Sequence, residues 1–152
     1  MLKREYEGQE ACSVSQTLEI IGERWTLLII RDAFLGLARF DQFHESLGVA
    51  RNVLTDRLGR LVEAGILERV LYAARPPRHE YLLTEKGRDL FTALNALRQW
   101  GDEHLSEKPM RLLQRKADGT PVIAALVPDG TQALTQDEME LVPGPGFPRG
   151  DR

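Results

Sequence analysis

Residues 37–84 read LARFDQFHESLGVARNVLTDRLGRLVEAGILERVLYAARPPRHEYLLT, and this stretch decides the fold. Phe40, Phe43 and Leu47 recur at i, i+3 and i+7, the apolar stripe of a short helix. Gly48 breaks that pattern. A second stripe, Leu54, Leu58, Leu61 and Val62, predicts another helix beginning near Ala50 to Arg51, with Gly65 directly after it as a C-terminal stop. The period then changes. Ile66–Tyr72 (ILERVLY) and Glu80–Leu83 (EYLL) are strand-like, and Ala73–His79 between them holds Pro76-Pro77 flanked by Arg75 and Arg78. Two short helices followed by two strands around a stiff basic turn is the pattern of a helix-turn-helix with a wing. Such a unit is shaped to put its second helix in the major groove of DNA.

The side chains turned away from the second stripe fit that reading. Asn52, Thr55, Asp56, Gly59 and Arg60 face outward, with Arg51 at the helix entry. Asn pairs bidentately with adenine and Arg with guanine, while Thr and first-turn backbone N–H groups suit phosphate oxygens. Arg57 lies nearer the buried edge and either joins this face or pairs with Glu63 or Asp41. Asp56 repels phosphate, so it either orients Arg60 at i, i+4 or reads a cytosine amino group. Arg39, at the start of the first helix, is a candidate phosphate contact. In the wing, Arg75 and Arg78 sit on a turn stiffened by proline, aimed at the phosphate backbone or at a minor groove. For an isolated helix, a merely solvated face would explain the same residues; the turn before it and the wing after it favour DNA.

With those residues read, an ordered series of motifs resembles the HxlR-type branch of winged-helix bacterial transcription regulators, relatives of the MarR group. The series begins with Cys12-Ser13-Val14 and Ile21–Asp32 (IGERWTLLIIRD), and continues with Arg39–Phe43 (RFDQF) and Leu54–Leu58 (LTDRL). It then runs through Leu61–Leu67 (LVEAGIL), Pro77–Tyr81 (PRHEY) and Leu83–Gly87 (LTEKG) to Trp100. The resemblance covers Cys12 to about Leu105, roughly two-thirds of the chain. Each motif alone is weak; the ordered set is specific. It implies a dimeric, cytoplasmic, sequence-specific binder of double-stranded DNA. It departs from the family at Ala50, where a Ser or Asn usually caps the recognition helix. Some members of the group carry a similar C-terminal hairpin with Cys or His residues that could bind metal. This chain has none there, so neither a zinc ion nor any other cofactor is expected. In some members a cysteine at the position of Cys12 senses oxidants or electrophiles. Its alternatives here are a redox-responsive thiolate at a helix N-terminus or an inert cap residue.

The bounds agree with this. A chain of 152 residues has room for one domain and an extension, and 42% hydrophobic with 28% charged residues is ordinary for a soluble protein. The net charge of −3 argues against a protein that coats nucleic acid non-specifically. Residues 39–79 nevertheless hold seven arginines and five acidic residues, a net +2 on the proposed reading head. One cysteine excludes an intrachain disulfide, and no secretion signal or apolar run of about 18 residues appears. No membrane partner is expected. His44, His79 and His104 lack metal-ligand spacing, and no G-x-S-x-G, P-loop or dinucleotide glycine pattern occurs, so the chain does not read as an enzyme.

The expected class is α+β and mostly α: a winged helix-turn-helix domain with N-terminal and long C-terminal dimerisation helices, plus a C-terminal β-hairpin extension. Residues 1–11 are expected to be mobile and 12–106 to form the DNA-binding and dimerisation domain. Residues 107–142 are read as β-rich and 143–152, rich in Gly and Pro, as a disordered tail. Ser13 is expected to cap a helix carrying Val14 and Leu18, and Arg24 to Phe34 to form a second with Trp25, Leu28, Ile29 and Ala33 in the core. Thr84 is expected to cap a long helix to Leu105 with a stripe of Leu90, Leu94, Leu97 and Trp100. So long a helix has more apolar surface than one small domain covers. It either packs within the domain or forms a dimer interface with the N-terminal helix; the resemblance implies the dimer, which suits a palindromic operator. Met110–Leu113 and Val122–Val127 are expected to be strands around an Asp118-Gly119 turn. A small aromatic or quinone-like effector between the long helices is the remaining expected partner. A winged domain that binds protein instead of DNA is the competing class, since fold alone does not set function.

Overall fold

The apolar stripes of residues 40–61 close on each other. In the computed structural model, which describes residue 6 and residues 8–148, helix α1 spans Ser13–Ile21, α2 Thr26–Phe34, α3 Phe40–Leu47 and α4 Arg51–Glu63. Strands β1 (Leu67–Ala74) and β2 (Pro77–Leu83) pair antiparallel, and one helical turn, α5, follows at Glu85–Arg88. These elements lie in the first of two compact units, Met1–Leu90. The second, Phe91–Arg152, holds α6 (Phe91–His104), β3 (Arg111–Arg115), a 3-10 turn at Gln136–Glu138 and β4 (Met139–Pro143). The class is α+β with a winged helix-turn-helix.

Phe43 of α3, Ile29 and Ile30 of α2, and Leu54, Leu58 and Leu61 of α4 have no solvent exposure. Each such side chain contributes about 1.5–3 kcal/mol by leaving water. Gly48 makes their meeting feasible. It ends α3 at φ +62°, a left-handed conformation that opposes a Cβ, and its N–H returns to the His44 carbonyl at 2.9 Å. The chain turns there, buries Val49 and enters α4 from an extended Ala50.

The wing is longer than its sequence pattern predicts. The strands continue to a two-residue Arg75-Pro76 turn, so Arg78 lies within β2 and not in a loop. Tyr72 is an extra residue between paired Leu71 and Ala73, which bends the strand. Tyr81 N–H donates to Ala38 at 2.7 Å and Arg39 bridges Glu80, fastening the wing to the start of α3. At its base Thr84 caps α5 as expected, accepting from Gly87 N–H at 3.0 Å. A Cβ at Gly87 would overlap the Ile66 carbonyl oxygen, so close backbone approach requires glycine there.

Other expectations are corrected. Cys12, not Ser13, is the N-cap of α1. Helix α2 starts at Thr26 because Trp25 adopts φ +78°. Ile30, not Leu28, joins Ile29 in the core; Leu28 is 39% exposed, and Trp25 and Ala33 pack on the core margin. The long helix is interrupted at Asp89-Leu90, where the Leu90 N–H bonds Gly87, a tighter i to i+3 step. Leu90 packs, partly buried, against the core of its own unit. The expected mobile N-terminus lies partly outside the described residues; Cys12 N–H closes a turn onto Gln9 at 2.9 Å.

In the second unit β3 pairs with β4, its residues running Arg111↔Pro143 to Arg115↔Met139. Val122–Val127 is therefore no strand, and the expected hairpin is two strands joined by a long connection. Only Val122 N–H reaches Leu113, at 2.9 Å, and beyond Pro121 the segment is irregular. Tail residues 143–147 are also held: Gly144 N–H donates to Met110 at 2.7 Å and Gly146 N–H to Pro109 at 2.9 Å. Residues 149–152 of the expected tail lie outside the described residues. On α6, buried Asn95 donates to the Phe91 carbonyl at 2.9 Å and accepts from Arg98, which pairs with Asp102 at 2.6 Å.

Two carboxylates order the connection between β3 and β4. Thr120 N–H donates to Asp118 at 3.0 Å and Thr135 N–H to Glu138 at 2.8 Å. These bonds, then those of the threonine hydroxyls and the charge of Arg115, hold both carboxyls below their ordinary range. Depressed pKa values mean stabilisation that is complete above the unfolded carboxylate range and is lost as pH falls through the lower folded values. The Thr120 and Thr135 amides are therefore expected to be protected from hydrogen exchange at about pH 6, when exchange is corrected for its intrinsic pH dependence, and to lose that protection only as the pH falls below the ordinary carboxylate range. Protection unchanged by acid would show that the carboxylates do not order the loop.

Candidate nucleic-acid interface

Helix α4 presents its first turn to solvent. Arg51, Asn52, Thr55 and Asp56 are exposed, while Leu54 and Leu58 are buried behind them. Ala50 offers no side-chain cap, so the first-turn N–H groups, which have no intrahelical acceptor, are left open at a positive dipole end. The poor cap costs about 0.5–2 kcal/mol relative to Ser. The same vacancy gives an anion free access to the amides.

Arg51 pairs with Asp41 at 3.1 Å and lies 5.4 Å from the Phe40 ring centroid. Both charged partners are more than 60% exposed, so the pair is worth about 0–1 kcal/mol and is easily exchanged for a phosphate or a base. Thr55 Oγ1 donates to the Arg51 carbonyl at 2.8 Å. Arg39 is bound on two sides, by Glu80 at 3.2 Å and by the Tyr72 ring at 4.5 Å. Its own backbone is capped from Gln42, whose Oε1 accepts from Ala38 and Arg39 N–H at 3.0 and 2.9 Å. Arg75 and Arg78 stand exposed at and beside the wing tip.

Arg57 and Arg60 do not join this group. Arg57 is only 18% exposed; it pairs with Glu23 at 2.5 Å, pairs with Asp56, and donates to the Arg24 carbonyl at 3.2 Å. Asp41, the other carboxylate considered for it, pairs with Arg51 instead. Arg60 pairs with Glu23 and, at 3.1 Å, with Asp56, so the i, i+4 pairing expected of Asp56 is present. In this structure Arg57 and Arg60 thus belong to a charge network with Glu23 and Asp56. Glu23 was invisible in sequence because it acts across 37 residues; Tyr72 was missed because the bulge that brings it to Arg39 leaves no periodic trace. Gln42, three residues after Arg39, was legible as a capping-box position.

The family model for the HxlR-like helix-turn-helix matches residues 20–109. The chain belongs to that family. It is therefore a transcriptional regulator of the helix-turn-helix type, which implies DNA as its partner. A relative described as an uncharacterised HTH-type transcriptional regulator, Rv3095 of Mycobacterium tuberculosis, is 45% identical over 149 residues, covering 96% of this chain and 92% of the relative. YybR of Bacillus subtilis, similarly described, is 33% identical over 103 residues, 67% of this chain and 82% of its own. Among solved structures, the candidate transcription factor PA1607 is similar with a TM-score of 0.71 and 42% identity, over 86% of this chain and 93% of that one. The redox regulator HypR in its reduced form is similar with a TM-score of 0.57 and 33% identity, over 59% of this chain and 90% of that one.

Further features of this HxlR-family chain bear on the interface. Cys12 is exposed at the start of α1, and its thiol is pulled below the ordinary value by the Ser15 amide first, then the Ser15 hydroxyl and the Val14 amide. No hydrogen bond of cap geometry forms, so the effect is that of nearby donors at the helix N-terminus. Among the described residues no group of three His, Cys, Asp or Glu is placed to hold a metal ion, and no helix is long and apolar enough to cross a membrane. An open groove of about 360 Å³ lies behind the wing, with Leu37, Glu68, Tyr81, Leu82 and Arg88 among its lining residues.

Gly59 sits in the exposed middle of α4, where an added Cβ would meet nothing within 4 Å. Packing gives no reason for it, although glycine costs a helix interior roughly 0.5–1 kcal/mol relative to alanine. Gly59→Ala is expected to raise stability by about that amount in urea titration. A lower midpoint with unchanged slope would mean that the backbone here departs from a regular helix.

Proposed function

We propose that this protein is a cytoplasmic, homodimeric regulator that reads a palindromic operator in double-stranded DNA. The first turn of α4 enters the major groove: Arg51 and Asn52 address base edges, while Thr55 and the uncapped amides take phosphate. Asp56 serves to orient Arg60 and does not read a base. Arg75 and Arg78 hold the flanking backbone, and Arg39, steadied by Glu80 and Tyr72, takes a phosphate beside the wing. The observation that carries this reading is the uncapped, solvent-open start of α4 beside an arginine whose carboxylate partner is exposed.

A second copy of the chain is proposed to cover apolar side chains that each unit leaves in water. On α1, Val14 is 67% and Leu18 38% exposed; on α6, Leu97 is 55% and Trp100 56% exposed, with Leu94 half-buried beside them. Exposed aliphatic and aromatic residues recurring on one helix mark an association surface. We further propose that oxidation of Cys12 alters DNA binding, since its thiolate is favoured and accessible, and that any small effector would act on the same helices.

Genomic fragments retained by the purified protein at two salt concentrations test the first claim. A recurrent inverted repeat that persists at the higher concentration is expected; salt-erased retention of unrelated fragments would refute sequence-specific reading. On that repeat, Arg51→Ala is expected to cost about 1–3 kcal/mol and relax specificity at one position per half-site, and Arg78→Ala to lower the salt slope by about one. Sedimentation should give a dimer, and Trp100→Glu should shift it towards monomer. Alkylation of Cys12 should proceed with a midpoint pH below that of an ordinary cysteine, about 8.5; a midpoint at or above it would remove the thiolate argument.

A further inference from the structure

Helix α4 carries three arginines, and the fold treats them in two ways. Arg51 pairs with one carboxylate, Asp41, and lies over the Phe40 ring, and both charged groups are largely in water. Arg57 and Arg60 face two carboxylates between them. Glu23 takes both guanidinium groups, Asp56 takes both again, and the Arg24 carbonyl accepts from Arg57 at 3.2 Å. The four side chains balance at zero net charge. Glu23 is 26% and Arg57 18% exposed, so this network is screened by salt far less than the Arg51 pair.

Glu23 is fixed from both sides. It occupies the short link between α1 and α2, in which Trp25 holds φ +78°, a conformation that bulky side chains rarely adopt. Thr26 N–H donates back to the Glu23 carbonyl at 3.2 Å, and Thr26 itself is buried. Arg60 lies over a shallow recess formed with Glu19, Ile20, Glu23 and Thr26. Arg60 is nonetheless 42% exposed, on the side of α4 that also bears Asp56. Freed of Glu23, it would keep only the half-exposed Asp56 and turn to solvent on the helix proposed to read DNA.

We propose that Glu23 is a specificity-determining positioning residue for DNA recognition. By pairing with both Arg57 and Arg60, it withdraws the half-exposed Arg60 from the phosphate backbone while Arg57 stays largely buried, leaving base discrimination to the first turn of α4. The physical logic is that phosphate contacts raise affinity for every sequence alike, whereas base contacts separate one sequence from another. A recognition helix with three free arginines would bind any duplex more tightly and distinguish less. Glu23 touches no DNA in this account; it acts through the two arginines. The inference rests on the reading of α4 as the recognition helix.

The experiment compares wild type, Glu23→Gln, Arg60→Ala and the double variant. The probes are a duplex recovered from the wild-type genomic pull-down and a scrambled duplex of equal length and composition, each titrated over a range of salt. Glu23→Gln is expected to bind the scrambled duplex several-fold more tightly at low salt, steepen its salt slope by about one, and lower the ratio of specific to non-specific affinity. Arg60→Ala alone should leave the slope on the recovered duplex unchanged, because Arg60 neutralises no phosphate, and adding it to Glu23→Gln should restore the wild-type slope. A merely structural Glu23 would instead weaken both duplexes in parallel with no steeper slope, and that result would overturn the proposal. If Glu23→Gln does not fold, Arg60→Ala decides: a slope lower by about one on the recovered duplex means Arg60 binds phosphate and the inference is wrong. A wild-type protein that retains no DNA would sink the proposed function itself, whereas retention with an unchanged Glu23→Gln slope would sink only this inference.

Discussion

The seam between α3 and α4 is the constraint on which the first unit depends. Phe43 on one side and Leu54, Leu58 and Leu61 on the other reach zero exposure only because Gly48 reverses the chain in a left-handed conformation within three residues. Once that turn is set, the apolar face of α4 is committed inward, and its polar face has one direction left. The wing inherits the same frame, since Tyr81 and Glu80 join it to Ala38 and Arg39 at the start of α3. Recognition helix and wing are thus two outputs of one packing decision.

Charge on α4 is then sorted by depth. At the exposed start of the helix an ion pair is weak, and Arg51 stays available although Asp41 is near. Half a helix further on, the link between α1 and α2 brings a carboxylate against the side chains, and partial burial makes the pairing firmer. The same residue type is therefore a candidate reader at one end of the helix and a tether at the other. Membership of the HxlR-like family accounts for the scaffold, but this division follows from the local surroundings of each arginine.

Much of the candidate site was legible along the chain because its signals are local. Helical periodicity marked α3 and α4, Gly48 and Gly65 marked their ends, and two arginines on a proline turn marked the wing. Local signals also misled. Val122–Val127 has the composition of a strand, yet β3 pairs with β4, because strand pairing is settled by a partner distant in the chain, from Arg115↔Met139 to Arg111↔Pro143, and not by propensity. The long C-terminal stripe read as one helix; the close approach of Gly87 to the Ile66 carbonyl and the tighter step at Leu90 end its first turn early. The Gly/Pro-rich tail read as disordered, yet Gly144 and Gly146 bond to Met110 and Pro109.

What the sequence by itself determined is the order and type of the elements around residues 37–84, the outward face of α4, the basic wing and the family to which these belong, all carried by short-range spacing. Only the tertiary structure decided which of the outward arginines are free. Glu23 and Arg60 stand 37 residues apart, as do Arg39 and its wing partners at a similar remove, and no periodicity joins them. Side chains so distant along the chain meet only in the tertiary structure, which is why their pairing is a property of the fold and is not written in any window of the sequence.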